Sequence, residues 1–94
     1  MNKPVIVGYS RSPFTLAKKG ELINVRPEDL LSEVIKNLVI KSKINPEDIE
    51  DIIAGCAFPE GEQGFNIGKV VTFMTGMNIK TAGMTVNRWC GSSM

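Results

Sequence analysis

The chain has 94 residues, with 11 Lys plus Arg against 10 Asp plus Glu, two cysteines and no histidine. A net charge near zero offers no field to attract nucleic acid or an anionic membrane, and 43% hydrophobic with 22% charged residues is a globular composition that argues against disorder over the whole chain. Without His the commonest general base and metal ligand is missing, so chemistry that needs an imidazole must borrow it from outside these residues.

Met1 to Pro4 leads straight into an apolar run, Pro4 to Tyr9 (PVIVGY), which is β-branched and reads as a strand covered on both faces. Ser10 to Val25 is a long irregular connection with Pro13 and a Lys18-Lys19-Gly20 turn. Pro27 to Lys43 is the clearest helix. Pro27 suits the first helical position, Glu28 and Asp29 fall in the first turn, and Lys41 and Lys43 in the last. Leu30, Leu31, Val34, Ile35 and Leu38 recur at helical spacing and make one apolar face. Asn45-Pro46-Glu47-Asp48 reads as a cap and a short turn of helix. Asp51 to Phe58 is a second buried strand, and Pro59 to Gly64 (PEGEQG) is irregular. Asn66 to Met77 returns to helical spacing through Ile67, Val70, Val71 and Met74, with Asn66 as its cap and a stop near Gly76. Thr81 to Trp89 is the third strand.

This βαβαβ order predicts an α/β fold, a mostly parallel sheet with right-handed crossovers and helices on both faces. The length allows one small domain or part of one. Two cysteines make no disulfide framework, and there is no CxxC pair for zinc or redox work. A reducing compartment follows, and with no signal-peptide core and no bilayer-length apolar run the expectation is a cytoplasmic protein.

After the third strand come Cys90-Gly91-Ser92-Ser93-Met94. Small residues directly after a strand open the next helix at the carboxyl edge of a parallel sheet, where ligands bind. A Cys at such a junction has two readings. The helix N-terminus favours thiolate and offers N–H groups for an oxyanion, which suits acyl transfer. Alternatively Cys90 is a buried structural thiol, since Cys is among the most buried residue types.

The segment Thr85-Val86-Asn87-Arg88-Trp89-Cys90-Gly91-Ser92-Ser93-Met94 resembles the active-site signature of the thiolases, with Asn three residues before the nucleophilic Cys. Val5-Ile6-Val7 followed by Arg11-Ser12-Pro13 is similar to the family's opening strand and Arg-Thr-Pro turn, with Ser12 in place of Thr. Asp51 to Cys56 matches the second strand, and Cys56 to Asn66 is similar to the form found in degradative 3-ketoacyl-CoA thiolases. The resemblance covers essentially the whole chain. It implies the N-terminal part of the first thiolase domain, ending where the nucleophile helix starts, and assigns Cys90 as the residue that takes an acyl group from a 3-ketoacyl-CoA or from acetyl-CoA. It further implies a CoA thioester as substrate with no permanently bound cofactor and no metal. The implied partners are the remainder of a thiolase chain and a homodimer or homotetramer, with neither nucleic acid nor membrane. The family's catalytic histidines, its second cysteine and its CoA-gripping loop match no position here.

The rival readings are a related condensing enzyme of the ketoacyl synthase type and a non-catalytic fragment that only packs or dimerises. Cys56, at the end of a buried strand, is expected to be an inert packed thiol. Glu60 and Glu62 are expected to be solvated or paired at a subunit contact, and Lys18 and Lys19 a solvated turn. Asn87 and Arg88 take structural roles on the strand that carries the nucleophile. Met74, Met77 and Met84 fill the core, and Met94 either does so or lines an acyl pocket. Gly61-Glu62-Gln63-Gly64 lacks the Walker lysine and the dinucleotide glycine spacing, so it is no phosphate cradle.

Overall fold

The computed structural model describes residues 2–93. Helix α1 spans Pro27–Ser42, strand β1 Asp51–Gly55, helix α2 Ile67–Met74 and strand β2 Ala82–Val86, with single 3-10 turns at Pro46–Asp48 and Gly61–Gln63. β1 and β2 pair in parallel, Asp51 opposite Ala82 through Gly55 opposite Val86, and α2 is the crossover between them. The ladder is prolonged at both ends, by the Ala82 N–H donating to Glu50 O (2.8 Å) and the Cys56 N–H donating to Val86 O (2.9 Å). The α/β class and the parallel pairing stand as expected.

α1 forms where its sequence signals lie. Pro27 occupies the first turn with Glu28 and Asp29, Lys41 lies in the last, and Lys43 ends the helix in the left-handed conformation, its N–H donating to Ile40 O. The Arg26 guanidinium pairs with Glu28 and reaches Glu62 at 3.3 Å, which ties the Gly61–Gln63 turn to the start of α1. The backbone N–H of Glu28, helped by Arg26 against the opposing desolvation, holds that carboxyl below its ordinary range, and the bond to Glu28 raises Arg26. Asn45 caps the Pro46–Asp48 turn as expected, its side chain accepting from the Glu47 N–H at 3.1 Å.

The core is built on one face of the sheet. Ala54, Cys56, Ile67 and Val71 are buried together, and Leu31, Ile35 and Ile52 pack against them. Fully burying a side chain such as Val71 contributes about 1.5–3 kcal/mol, and these few contacts join α1, α2 and β1. On the other face, Ile53 is 65% and Met84 45% exposed. The expected cover on that second face does not come from the described residues.

The first predicted strand is the main difference. Pro4 to Tyr9 forms no strand, and Val5 and Ile6 are 78% and 93% exposed. A strand exists only through the ladder it makes with a neighbour. Here the segment lies instead along the C-terminal end of α1, with the Lys41 Nζ 5.0 Å from the centre of the Tyr9 ring and Gly8 so close to Ser42 that a Cβ would strike its hydroxyl. β1 and β2 are also shorter than predicted, because the chain leaves the ladder after Cys56 and after Val86.

Asn66 corrects a second expectation. It adopts a left-handed conformation (φ 56°) after a left-handed Phe65 (φ 55°), and its side chain does not cap α2. The amide instead reaches β2, donating to Gly83 O (3.0 Å) and accepting from Thr85 Oγ1 (2.7 Å). Thr85 Oγ1 also accepts from the Gly68 N–H (3.2 Å), so the open start of α2 is satisfied from the neighbouring strand. The far end follows the sequence signal. Gly76 is left-handed (φ 70°), and the Met77 N–H returns to Thr72 O.

α2 lies close on β2 because two glycines allow it. A Cβ on Gly68 would overlap the Met84 carbonyl, and one on Gly83 would meet the Gly68 carbonyl. Gly68→Ala therefore sets two effects against each other. Helix propensity favours Ala by about 1 kcal/mol. Overpacking against a backbone carbonyl that cannot rotate away costs about 1–3 kcal/mol and prises the helix off the strand. We expect a net loss, read as a lower thermal midpoint of the complete protein. A raised midpoint would show that the helix moves off the strand at no cost.

Candidate active site

Val86 ends β2, and the chain turns at once through Asn87-Arg88-Trp89-Cys90-Gly91-Ser92-Ser93. Cys90 is exposed on this turn, whereas Cys56 is 6% exposed and packed among Ala54, Ile67 and Val71. The structure thus separates the two thiols: Cys56 is the core residue expected of it, and the buried reading of Cys90 does not hold within this chain.

The turn is held by its own side chains. Asn87 Oδ1 accepts from the Trp89 N–H two residues on (2.9 Å), an Asx turn, while its Nδ2 donates to Ala57 O (3.2 Å) beyond β1. Ser92 Oγ accepts from the Arg88 N–H (2.9 Å) and donates to Trp89 O (2.6 Å). Ser93 Oγ donates to Gly55 O (3.2 Å), which fastens the turn to the end of β1. Between these anchors Trp89 is forced to a left-handed backbone (φ 51°), a conformation that bulky side chains disfavour. Its ring meets Phe58 edge to face, with centroids 6.0 Å apart and planes at 75°.

The backbone donors of the turn are used unevenly. The Gly91 N–H donates to Arg88 O (3.1 Å) and the Ser92 N–H to Trp89 O (3.2 Å), while the Cys90 N–H has no acceptor among the described residues. A free N–H beside an exposed thiol is what an oxyanion needs when that thiol adds to a carbonyl. An open groove of about 520 Å³ is lined by Val86, Arg88, Gly91 and Ser92; Cys90 is not among its lining residues.

The remaining candidates lie apart from the thiol. Lys18 and Lys19 are on an exposed turn, Lys18 left-handed (φ 65°). Glu60 is exposed, and Glu62 is spent on Arg26. Met94 falls outside the described residues, and so does the expectation that it fills the core or lines an acyl pocket. Among the described residues no three His, Cys, Asp or Glu converge as metal ligands, and no helix is long and apolar enough to cross a membrane. Sequence reasoning gave Asn87 only a general structural role and Ser92 none. The spacing Asn87-x-Trp89 was the available signal for an Asx turn.

Residues 4–94 match the family described as thiolase, N-terminal domain. The chain is 44% identical over 95 residues to the 3-ketoacyl-CoA thiolase of Colwellia psychrerythraea and 46% identical over 96 residues to that of Shewanella frigidimarina. Both alignments take in 100% of this chain but only 25% and 24% of those relatives, so it spans about a quarter of their length. The structure superposes on an acetyl-CoA acetyltransferase from Syntrophomonas wolfei with a TM-score of 0.84, over 94% of this chain and 22% of that one, at 23% identity, a likeness of fold. From the opening apolar run through the turn that bears Cys90, then, the match is continuous, and the chain belongs to the thiolase family.

Proposed function

We propose that this chain is the nucleophile-bearing part of an acyl-CoA C-acyltransferase, a thiolase, in which Cys90 forms the acyl-enzyme. The observation that carries the reading is Cys90 itself, an exposed thiol on a strained turn at the carboxyl end of a parallel strand, with its own N–H unspent among the described residues. In the thiolytic direction the Cys90 thiolate adds to the 3-keto carbon of a 3-ketoacyl-CoA. The C2–C3 bond breaks, its electron pair passes to C2, and that carbon takes a proton to leave as acetyl-CoA. The acyl group on Sγ is then transferred to the thiol of free CoA, which gives up its proton, and Cys90 is regenerated. In the condensing direction the first acyl donor is acetyl-CoA and CoA is the leaving group. Substrates are CoA thioesters, and no permanently bound cofactor is required.

The chain has no His, so the base that takes the Cys90 proton is supplied by the remainder of the complete enzyme. The bare apolar face with Ile53 and Met84 is covered by that remainder or by a second subunit of a homo-oligomer. We also place the enzyme in the cytoplasm, a reducing compartment that suits two free cysteines.

Iodoacetamide tests the assignment. The complete enzyme should lose thiolysis in proportion to carboxamidomethylation of Cys90, followed by peptide mass, and preloading with acetyl-CoA should protect both. Activity that survives full modification of Cys90 overturns the reading.

A further inference from the structure

We infer that Asn87 and Ser92 are positioning residues for the nucleophile: together they clamp the turn so that Trp89 stays left-handed and the Cys90 thiol and N–H face the same approaching carbonyl. The inference rests on Cys90 being the nucleophile. Its basis is that a bulky residue holds a positive φ only when its surroundings over-determine it, and such strain collects at functional sites. Here the surroundings are explicit. The Trp89 N–H is bound by Asn87 Oδ1, and the Trp89 carbonyl by Ser92 Oγ together with the Ser92 backbone N–H, so side chains hold Trp89 on both sides. Ser92 Oγ also takes the Arg88 N–H, the donor just before the strained residue. Ser92 Oγ lies 3.5 Å from Asn87 Oδ1, so the two halves of the clamp meet. The outer hydrogen bonds, from Asn87 Nδ2 to Ala57 O and from Ser93 Oγ to Gly55 O, set the clamped turn against the end of β1.

This arrangement spends the N–H groups of Arg88, Trp89, Gly91 and Ser92 and leaves that of Cys90 without an acceptor among the described residues. Without Ser92 Oγ, the Arg88 N–H loses its partner and the Trp89 carbonyl keeps only the Ser92 N–H, so the turn can relax toward a regular conformation. The thiol then moves by a fraction of a bond length to an ångström, a displacement that costs about 10²-fold in rate when a nucleophile is involved. Substrate binding by other parts of the enzyme is untouched, so the loss falls on kcat.

The experiment uses the complete enzyme and two pairs of variants, Ser92→Ala with Ser92→Thr, and Asn87→Ala with Asn87→Ser. The threonine variant keeps the hydroxyl. The serine variant keeps an acceptor for the Trp89 N–H while losing the reach to Ala57. Both Ala variants should lower kcat and the rate of Cys90 alkylation together, by about 10-fold or more, with KM within about 3-fold of the parent; Ser92→Thr and Asn87→Ser should retain most of the parental rate. Circular dichroism melts accompany each variant. Should an Ala variant fail to fold, its hydroxyl-bearing partner carries the test through its own kcat and alkylation rate. The clamp is overturned if Ala and hydroxyl variants lower only the melting temperature, or if Cys90 alkylates at the parent rate in both Ala variants. Those results leave the nucleophile intact. Loss of the nucleophile reading has a different signature, full activity in Cys90→Ala, and so the two failures are told apart.

Discussion

Cys90→Ala is expected to abolish thiolysis by the complete enzyme, and Cys90→Ser to lower kcat by about 10³-fold or more. The size follows from what the side chain does. A thiol is a few per cent thiolate at neutral pH and intrinsically nucleophilic, whereas a hydroxyl at the same place ionises far less and must be deprotonated during attack. Ala leaves nothing to acylate, so only binding and the oxyanion donors remain, and these do not break a C–C bond. The direct measurement is the stoichiometric release of CoA from acetyl-CoA, one per active site, which reports formation of the acyl-enzyme. It should vanish in Cys90→Ala together with turnover. KM for the acyl-CoA should stay near the parent value, because Cys90 is exposed on a turn and bears little of the substrate's contact area. Cys56→Ala separates chemistry from packing: that sulfur lies in the core among Ala54, Ile67 and Val71, so its loss lowers the melting temperature and leaves the CoA burst intact. Full activity in Cys90→Ala would end the assignment.

The setting of Cys90 was legible in the sequence because it is local: a strand, a cysteine and small residues in succession are enough to predict a strand-to-turn junction at the sheet's carboxyl edge. α1 was legible for a similar reason. Proline, two acids, an apolar stripe and closing lysines all fall within one element, and local signals suffice when they agree. What escaped were facts about partners. Pro4 to Tyr9 has a strand's composition, but composition expresses a need for burial and does not name the edge that supplies it. Among the described residues it runs unpaired along α1. Asn66 looks like a cap because Asn before an apolar helix commonly is one. Only the fold brings Gly83 and Thr85 near enough to take its amide instead. Trp89 was the least readable, since a tryptophan carries no local preference for positive φ. Its conformation is imposed from Asn87 on one side and Ser92 on the other, and the same imposition presents Cys90.

Gly55→Ala is expected to lower kcat by about 10²-fold, although the substitution lies far before Cys90, the proposed nucleophile, and removes no polar group. Replacing Gly by Ala in an extended conformation ordinarily stabilises a protein by about 0.4–1 kcal/mol, because the unfolded chain loses freedom. At Gly55 the opposite sign is predicted. The added Cβ would overlap the Ser92 carbonyl and the Ser93 N–H, and these are backbone atoms with no rotamer in which to retreat. The turn must therefore lift from the end of β1, which also pulls Ser93 Oγ away from the Gly55 carbonyl it now binds at 3.2 Å. Because Ser92 and Ser93 follow closely on Cys90, the lift is passed to the thiol. The expected record is a lower kcat, slower alkylation of Cys90 and a KM close to the parent's. An Ala variant with parental kcat would mean that the turn tolerates displacement from β1, and that contact with the strand does not set the position of Cys90.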